Sequence, residues 1–344
     1  MLDDVVIPSG VFGPLTVRVD PAKAEELLQL AAQAAVYVTN ARGAGTLRAY
    51  RSAWKLYCAW CDDLGFPPLN SDPRVVSLYT VKASERLAIS TLRVHLAAIA
   101  TAHRLAGQPI DLKHPSIALV LDGMARSQAK RPKRVASPLA VDALAELVRR
   151  QPDTPLGVRN RALLLIGFFA ALRRSELVAL DIGDAVDMPG KGLKIILRRS
   201  KTDQYGDGQE IGICAAETPS LCALTAWRAW MALRYDAGLD RPLFTAVRKN
   251  GAVTERRLSD KAVERLLKDG ARALKLPDAI RYTGHSLRAG LATAAAEEDA
   301  QLHDIMRQTR HRSVEVVRRY LRSRDLWRNN VTEKVVKAAV HRDE

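Results

Sequence analysis

Apolar residues recur at helical spacing through most of residues 21–127, and glycines or prolines separate the segments. Tyr50, Trp54, Tyr57 and Cys61 follow one another by three or four positions, which is typical of the buried face of an amphipathic helix. The same pattern predicts helices at about residues 21–42, 46–64, 73–85, 90–107 and 115–127. Residues 1–20 contain two prolines and two glycines and predict an extended arm, so no strand is expected in this part of the chain.

The second half of the chain contains the clearest strand pattern. Residues 193–197 and 210–214 are short β-like runs, and the polar, turn-rich segment 200–208 between them completes a predicted β-hairpin. Helical spacing predicts further helices at about residues 139–150, 157–170, 218–236, 259–274, 286–297, 300–308, 313–321 and 331–340. The predicted fold class is therefore mainly α, with one small β-hairpin in the second domain.

A basic stretch interrupted by prolines separates the two helical blocks. Its basic residues are Arg126, Lys130, Arg131, Lys133 and Arg134. Such a stretch predicts an interdomain linker, either a solvated hinge or a strap that lies on phosphates. The predicted organisation is an arm at residues 1–20, a helical domain at 21–127, a linker at 128–138 and a second domain at 139–344.

Length and charge narrow the class of partner. The chain has 344 residues, enough for roughly two domains, and 53 Lys and Arg against 38 Asp and Glu give a net charge of +15. This charge indicates a polyanionic partner, most simply nucleic acid. The longest uncharged apolar run, residues 162–172, is shorter than the roughly 20 residues of a membrane span, so no membrane partner is expected. Four cysteines do not make a disulfide framework, which favours a reducing, cytoplasmic location.

No motif in the sequence predicts a cofactor or a metal ion. Cys58 and Cys61 form a CxxC, but they lie inside an amphipathic helix, and Cys214 and Cys222 have a different spacing in the other domain. Packing cysteines are therefore the better interpretation. The sequence has no Gly-rich phosphate loop and no His, Asp or Glu cluster at metal-ligand spacing, so neither a nucleotide cofactor nor metal-assisted chemistry is expected.

Two candidate groups flank the first predicted strand. Arg173 and Glu176 are three positions apart after a strongly apolar helix, so they share a helical face. Taken alone, this pair is most simply a surface ion pair. Lys201 lies in the turn of the predicted hairpin, from which a side chain can reach into a groove, although turn lysines are usually just solvated.

The segment His285-Ser286-Leu287-Arg288 is more informative. His285 and Arg288 converge on one helical face directly after the helix-start signal Thr283-Gly284. An imidazole beside a guanidinium makes an oxyanion clamp, because arginine offers planar paired donors and histidine can donate or move a proton. Read in isolation, the motif is equally compatible with a structural role.

His311 and Tyr320 are nine positions apart, which places them on opposite faces of any continuous helix. If both serve one site, the chain must bend between them, and Ser313 is a plausible N-cap for a new helix. A tyrosine phenol has an ordinary pKa of about 10, so Tyr320 needs cationic neighbours or a base to attack at neutral pH.

The order of these groups is the specific signal: Arg, Lys, His-x-x-Arg, His, Tyr. It resembles the signature of the tyrosine recombinase (phage integrase) family, and the strings ALRRSELVAL, HSLRAG and QTRHRSVEVVRRY are similar to its motif boxes. The motifs cover about residues 155–325, and the helical first domain with its basic linker extends the resemblance to about 40–344. The size of the chain is similar to that of Cre-like two-domain members.

The resemblance implies phosphoryl transfer on DNA without a metal ion or ATP. Tyr320 would attack a DNA phosphate and leave a 3′-phosphotyrosine and a free 5′-OH, followed by strand exchange through a Holliday junction. Arg173 and Arg288 would hold the non-bridging oxygens and stabilise the charge of the phosphorane. Lys201 would protonate the departing 5′ oxygen.

Three further site residues follow from the same resemblance. His285 would position or deprotonate the tyrosine, His311 would donate to a phosphate oxygen, and Glu176 would orient the neighbouring cations. The family commonly has Gly at the positions of Ala171 and Arg310, and the role of the cation at Arg310 is open.

The resemblance also implies an architecture and partners. The first domain would be a SAM-like core-binding domain and the two domains a C-shaped clamp on double-stranded DNA with an inverted-repeat recombination site. A C-terminal helix at residues 327–341 would dock into a neighbouring protomer of a homotetramer on DNA, or pack on its own domain. The protein would be nucleoid-associated.

Candidate DNA contacts outside the site are less specific. Arg48, Arg51 and Lys55 share one helical face, and Arg257, Ser259 and Lys261 lie at the start of another helix. Either set is a candidate for the major groove or a solvated charged face. The linker residues Arg131, Lys133 and Arg134 are candidates for phosphate contact.

Two other functions fit the same sequence. A type IB topoisomerase-like enzyme would use the same covalent chemistry to relax DNA as a monomer. A catalytically silent DNA-binding regulator would keep the fold alone, although the complete set of site residues argues against it.

Overall fold

The computed structural model describes residues 3–10, 13–40, 42–128, 136–198, 208–234, 237–325, 331–333 and 335. The chain divides into two compact units, residues 1–133 and 134–344. Each unit has its own hydrophobic core.

The N-terminal segment is a two-stranded antiparallel hairpin. β1 (Asp3–Gly10) pairs with β2 (Gly13–Val19). The expectation of a single extended arm without strands was therefore wrong. Leu15, Val17 and Val19 alternate with polar residues at the period of a strand, and this signal was missed because prolines and glycines surround it.

All five helices predicted for the first unit are present. They are α1 (Pro21–Asn40), α2 (Ala44–Asp63), α3 (Pro73–Ser84), α4 (Ile89–Leu105) and α5 (Pro115–Gln128). The start of α3 shows how local residues fix such a boundary. The Asp72 side chain accepts a hydrogen bond from the backbone N–H of Arg74 at 2.9 Å, and Pro73 occupies the first helical position.

Aromatic side chains form much of the core of the first unit. Tyr57 and Tyr79 are buried with their ring centroids 5.0 Å apart in an edge-on arrangement, and Ile99 packs in the same cluster. The Tyr79 hydroxyl lies 2.7 Å from Nδ1 of His95. Cys61 is buried in this core, and the four cysteines are free thiols, which confirms the interpretation of Cys61 as a packing residue.

Eight helices occur in the described part of the second unit. They are α6 (Val141–Arg149), α7 (Pro155–Phe169), α8 (Arg174–Ala179), α9 (Ala223–Ala232), α10 (Asp260–Ala273), α11 (Gly284–Glu297), α12 (Leu302–Thr309) and α13 (Val314–Asp325). The short helix α8 was not predicted. Residues 162–168 of α7 are buried on every side, as expected of a helix that is apolar all round.

Two small antiparallel sheets complete the second unit. β3 (Ala185–Met188), β4 (Gly192–Leu197) and β5 (Gln209–Cys214) form the first, in that order. The predicted hairpin is thus confirmed as β4–β5, and β3 is an additional strand. β6 (Thr245–Val247) and β7 (Val253–Arg257) form a second hairpin that the sequence pattern did not predict.

The C-terminal helix predicted at residues 327–341 lies mostly outside the described residues. Residues 331–333 and 335 are described and are helical. No helix in the described part of the chain has the length and apolar character needed to cross a membrane.

Candidate active site

Arg173 stands at the start of α8, immediately after the buried helix α7. It is the N-cap residue, and its backbone N–H donates to Glu176 Oε2 at 3.0 Å. Its guanidinium pairs with the other oxygen of the same carboxylate. The Glu176 side chain is only 4% exposed. The spacing alone favoured a surface ion pair, and this interpretation was wrong because the carboxylate lies inside the unit.

His285 and Arg288 lie in the first turns of α11 because Thr283 caps that helix. The Thr283 hydroxyl accepts from the backbone N–H of His285 at 3.2 Å, and Ser286 Oγ accepts from the Thr283 N–H at 3.0 Å. Arg288 is fully buried, whereas His285 is open to solvent. Partial burial, followed by the charges of Arg288 and Arg173, lowers the pKa of His285, so its ring is neutral at pH 7 and able to accept a proton.

Two glycines determine how closely α11 approaches its neighbours. A side chain at Gly284 would collide with Arg174, and one at Gly290 would collide with the Leu139 carbonyl and the Phe168 ring. Because these two glycines have no side chain, the part of α11 that carries His285 and Arg288 can pack closely against α7, the start of α8 and the segment before α6.

One guanidinium nitrogen of Arg288 differs from the other two in its hydrogen bonding. Nη1 donates to the carbonyl of Ala171 at 3.0 Å, and Nε donates to Nε2 of His311 at 3.3 Å. Nη2 is buried and has no hydrogen-bond partner among the described residues. Burial, with the charges of Arg173 and Arg310, lowers the pKa of Arg288 to about 9. The group is still charged at neutral pH, and an anion at Nη2 would satisfy it.

Both ring nitrogens of His311 are engaged. Nδ1 lies 2.8 Å from Thr309 Oγ1, which lies 2.6 Å from the carbonyl of Ile305. The Thr309 hydroxyl has one proton, which satisfies the Ile305 carbonyl. His311 therefore donates from Nδ1 to Thr309 and accepts at Nε2 from Arg288. Burial, followed by the charge of Arg288, lowers the pKa of His311 to about 4, which agrees with a neutral ring.

Tyr320 reaches His311 through a bend in the chain. α12 ends at Thr309, α13 begins at Val314, and His311 lies in the turn between them. The ring centroids of His311 and Tyr320 are 6.1 Å apart. The prediction that the chain bends between these residues is confirmed. Tyr320 is also close to Arg288, because the charge of its deprotonated form acts to raise the pKa of that arginine.

The two departures from the family pattern share a backbone conformation. Ala171 has φ 47° and Arg310 has φ 56°, both in the left-handed region. Glycine adopts this conformation freely, whereas another residue is strained by about 1–2 kcal/mol. This backbone geometry accounts for the Gly that the family resemblance leads us to expect at these two positions.

Arg310 completes the buried charges of the site. Its Nη2 donates to Glu176 Oε2 at 3.1 Å, and its guanidinium also contacts the carbonyls of Ala170 and Ala171. Burial acts to raise the pKa of Glu176. The Arg173 N–H and the charges of Arg173 and Arg310 outweigh burial and hold that pKa below its usual value. The carboxylate is thus ionised between two guanidinium groups, those of Arg173 and Arg310.

Lys201 and residues 199–207 around it lie outside the described residues. The base of this hairpin is described, and Leu197 pairs with Gln209 there. Gln308 of α12 donates from its amide to the carbonyls of Phe169 at 2.8 Å and Gly212 at 3.2 Å. Gln308 therefore links β5 to the end of α7 through hydrogen bonds. An open cavity of about 380 Å³ lies beside β5, and His311 and Arg310 contribute to its lining.

The candidate DNA contacts of the first unit are exposed. Arg48, Arg51 and Lys55 lie on the solvent side of α2, opposite the core residue Tyr57. The linker residues Arg131, Lys133 and Arg134 lie outside the described residues. DNA contact by these residues stays a prediction.

Among the candidates of the second unit, Arg257 already has a structural contact. Its guanidinium donates to the Val178, Ala179 and Leu180 carbonyls at the end of α8, at 2.9–3.1 Å. It therefore closes the helix that Arg173 opens. Ser259 and Lys261 are exposed at the start of α10.

The site combines buried guanidinium donors, two neutral imidazoles and a phenol. Within the described residues, no three His, Cys, Asp or Glu side chains are placed to hold a metal ion. Guanidinium groups hold phosphate oxygens and a neutral imidazole accepts a proton, so the arrangement suits attack of the phenol on a phosphate. The fold and the site define a mainly helical protein with the constellation of a phosphoryl-transfer enzyme.

Comparisons with known proteins give the family. Residues 137–326 match the phage integrase family. The integrase/recombinase XerD homolog of Selenomonas ruminantium is 31% identical over 323 residues, which are 91% of this chain and 92% of that protein. Recombinase Cre of Escherichia phage P1 is 26% identical over 290 residues, 79% of this chain and 81% of that protein. The chain belongs to the phage integrase family and is a tyrosine-type site-specific recombinase.

Solved structures show the same fold. The XerH site-specific recombinase bound to palindromic difH substrate, a post-cleavage complex, has a TM-score of 0.61 at 17% identity and covers 94% of this chain and 90% of that chain. A lambda integrase dimer bound to a COC′ core site has a TM-score of 0.53 at 18% identity and covers 83% and 91%. The predicted fold class, mainly α with small antiparallel strands, is confirmed.

Sequence reasoning missed the groups that hold the site residues. Thr309, which fixes the His311 proton, and Gln308, which fastens the hairpin, lie in the string QTRHRS and were not singled out. The available signal was their polar side chains, two and three positions before a candidate site histidine. Nothing in the sequence marks the carbonyls of Ala170 and Ala171 as acceptors, because backbone groups are the same at every position.

Proposed function

We propose that the protein cleaves and rejoins duplex DNA at a specific site through a 3′-phosphotyrosine intermediate. The observation that carries this proposal is Nη2 of Arg288, a buried cationic donor that has no hydrogen-bond partner within the described residues and belongs to a side chain in contact with His311, whose ring lies beside Tyr320. A buried donor without a partner is costly, and a phosphate oxygen would satisfy it.

The proposed step conserves atoms and charge. The phenol oxygen of Tyr320 forms a bond to phosphorus, and the bond from phosphorus to the 5′ oxygen breaks. The phenol proton passes to the neutral His285, and Lys201 protonates the departing 5′ oxygen. Arg173 and Arg288 hold the non-bridging oxygens, where negative charge accumulates in the transition state.

His311 needs a rearrangement before it can donate to the phosphate. In the structure its donor is Nδ1–H, and Nε2 accepts from Arg288. When Arg288 turns to the phosphate, the Thr309 hydroxyl can donate to Nδ1 instead of to Ile305, which leaves the proton of His311 on Nε2. Phosphate binding and donation by His311 would then occur together.

Rejoining reverses the first step with a new 5′-OH. The phosphotyrosine keeps the energy of the broken phosphodiester, so no ATP is required, and the guanidinium groups supply the positive charge. Exchange between two duplexes through a Holliday junction follows when several protomers act together.

The proposal extends to partners. A double-stranded site with an inverted repeat would bind symmetric protomers, and the XerH complex with a palindromic substrate supports this arrangement. We infer a homotetramer on DNA, held by the C-terminal helix at residues 327–341, and a cytoplasmic, nucleoid-associated location. If a protein without residues 327–344 still assembled four subunits on paired sites, this role of the helix would be wrong.

The test is a covalent trap. The protein is mixed with DNA from its own genetic locus in EDTA and quenched with SDS, which leaves a protein–DNA adduct. Tyr320→Phe should abolish the adduct, whereas Tyr282→Phe, which changes a buried tyrosine of the same unit, should retain it. An adduct that survives Tyr320→Phe, or that requires a metal ion, would overturn the mechanism.

Assembly then separates recombination from simple relaxation. Four protomers on two paired sites support recombination. A monomer that cleaves and relaxes DNA would indicate the topoisomerase-like activity, and tight binding with no adduct would indicate a DNA-binding regulator.

A further inference from the structure

Arg310 occupies a position where a side chain needs compensation. It ends α12 with φ 56° and ψ 39°, in the left-handed conformation that glycine adopts most easily. Arginine also has a long charged side chain, which is here 5% exposed. Contacts of this side chain must offset both the backbone strain and the loss of hydration.

Those contacts are directed at two acceptors that the catalytic arginines also use. Arg310 donates to the Ala171 carbonyl at 2.9 Å, and Arg288 donates to the same carbonyl at 3.0 Å. Arg310 also donates to Glu176 Oε2 at 3.1 Å, while the guanidinium of Arg173 pairs with Oε1. Arg310 therefore stands between the two catalytic arginines and shares one partner with each.

We propose that Arg310 is a positioning residue that fixes Arg173 and Arg288 relative to each other for the phosphate. It acts through Glu176 on one side and through the Ala171 carbonyl on the other, and it need not touch DNA. This inference rests on the proposed function. The same role accounts for the presence of an arginine in strained backbone next to His311.

The physical consequence of its removal follows from the partners. Without Arg310, one oxygen of the buried Glu176 carboxylate would lose its guanidinium partner, and the Ala170 carbonyl would lose a donor at 2.8 Å. The carboxylate would then attract Arg173 more strongly and compete with the phosphate for it. The Ala171 turn, which holds Arg288, would lose one of its two donors.

The first variant is Arg310→Gly, which suits the backbone and should fold. We expect DNA affinity within about threefold of the wild type, because no DNA contact is removed, and adduct formation at saturating DNA slower by about 100-fold, as for small misplacements of catalytic groups. Millimolar free guanidinium ion should restore part of the rate. Arg307→Ala is the matched control, because Arg307 is an exposed arginine of the same helix paired with Asp304, and it should cleave at the wild-type rate.

A second variant tests the route through Glu176. If the unpaired carboxylate is what slows Arg310→Gly, then adding Glu176→Gln to it should raise the rate above that of Arg310→Gly alone. A wild-type rate for Arg310→Gly would overturn the proposal. So would a slow Arg310→Gly that neither guanidinium ion nor Glu176→Gln improves, because that result indicates packing alone.

One readout is independent of cleavage. In NMR relaxation, the side-chain Nε–H groups of Arg173 and Arg288 should be ordered in the wild type and mobile in Arg310→Gly, and unchanged order would overturn the positioning role. A wild-type protein without any Tyr320 adduct would instead contradict the proposed function, and the NMR result would still decide the role of Arg310.

Discussion

The two units of this protein differ in the kinds of polar side chain that they bury. In the first unit, the buried polar side chains among the described residues are Ser77, Thr80, His95 and His103. In the second, the buried set includes the charged residues Arg159, Glu176, Asp184, Arg234, Arg288 and Arg310. Both cores are hydrophobic, but only the second, within the described residues, surrounds ionised groups.

Under the proposed function, this difference separates a unit that supports the fold from the unit that carries the reaction. Burying an ion costs several kcal/mol unless partners compensate, so a unit that only folds and binds gains little from it. In the second unit this cost is incurred at Arg288, whose buried Nη2 has no hydrogen-bond partner among the described residues. Under the proposed function, a charge that is already dehydrated before DNA arrives would lose no hydration when Arg288 turns to the phosphate.

The largest expected effect comes from removing the side chain of Arg288. Arg288→Ala removes the unpartnered donor, and adduct formation in a single turnover should fall by about 100- to 1,000-fold, as for loss of one donor to a developing negative charge. Melting of the variant checks that it is folded. A fall of less than about tenfold would break the comparison, because the buried charge would then have no catalytic purpose.

The second prediction concerns a core residue of the first unit, whose loss should lower stability and leave the chemistry unchanged. Ile99 is fully buried among aromatic rings, and Ile99→Ala should lower the free energy of unfolding of that unit by about 2–5 kcal/mol through the cavity it leaves. Denaturant titration measures this loss. The folded fraction should form adduct at the wild-type rate on saturating DNA, and slower chemistry in folded protein would contradict the separation.

The histidines of the two units sharpen the comparison through pH. Burial lowers the pKa of His95, while burial together with the charge of Arg288 and its neighbours lowers the pKa of His311 to about 4. Because unfolded histidine binds its proton near pH 6.5, stability from His311 should be lost as pH falls from about 6.5 to about 4.

NMR titration checks both histidines. High salt should raise the pKa of His311, because it screens the arginine charges, and should leave that of His95 nearly unchanged. His311→Gln should flatten the pH dependence of unfolding between about pH 6.5 and 4. A folded protein in which His311 titrates at its ordinary value would contradict the charged environment described here.

The smallest expected effect concerns DNA binding by the first unit. Arg51→Ala and Lys55→Ala should each reduce the slope of log affinity against log salt by about one, if each contacts one phosphate. Cleavage at saturating DNA should not change. Lys82→Ala, an exposed lysine paired with Glu85, is the control, and an equal slope for all three proteins would remove α2 from the DNA interface.

Much of the fold followed from periodicity, and the exceptions have a physical reason. The helices of both units and the β4–β5 hairpin carry strong repeats, and they were predicted. β6 is three residues long and α8 is six, too short for a repeat to be recognised. The N-terminal hairpin was lost because prolines and glycines masked the alternation of Leu15, Val17 and Val19.

The candidate site likewise has features that could be predicted from the sequence and features that could not. The order of the candidate site residues, which ends at His311 and Tyr320, is a property of the sequence. The bend between these two residues was also predicted and is confirmed. The burial of Glu176 was not, because three-residue spacing is the same for surface and interior pairs. The sharing of one carbonyl by Arg288 and Arg310 depends on tertiary packing that no spacing encodes.

Gly284 and Gly290, which flank His285 and Arg288 in α11, limit the positions at which this protein could be mutated to change its DNA specificity. Any residue with a β-carbon at 284 or 290 would push α11 away from Arg174 or from the Leu139 main chain. His285 and Arg288 would then be displaced together. Under the proposed function, the reaction with every DNA substrate would slow to a similar extent. A mutant library for a new DNA sequence should therefore keep both glycines and place its diversity at exposed candidate DNA contacts such as Ser259 and Lys261.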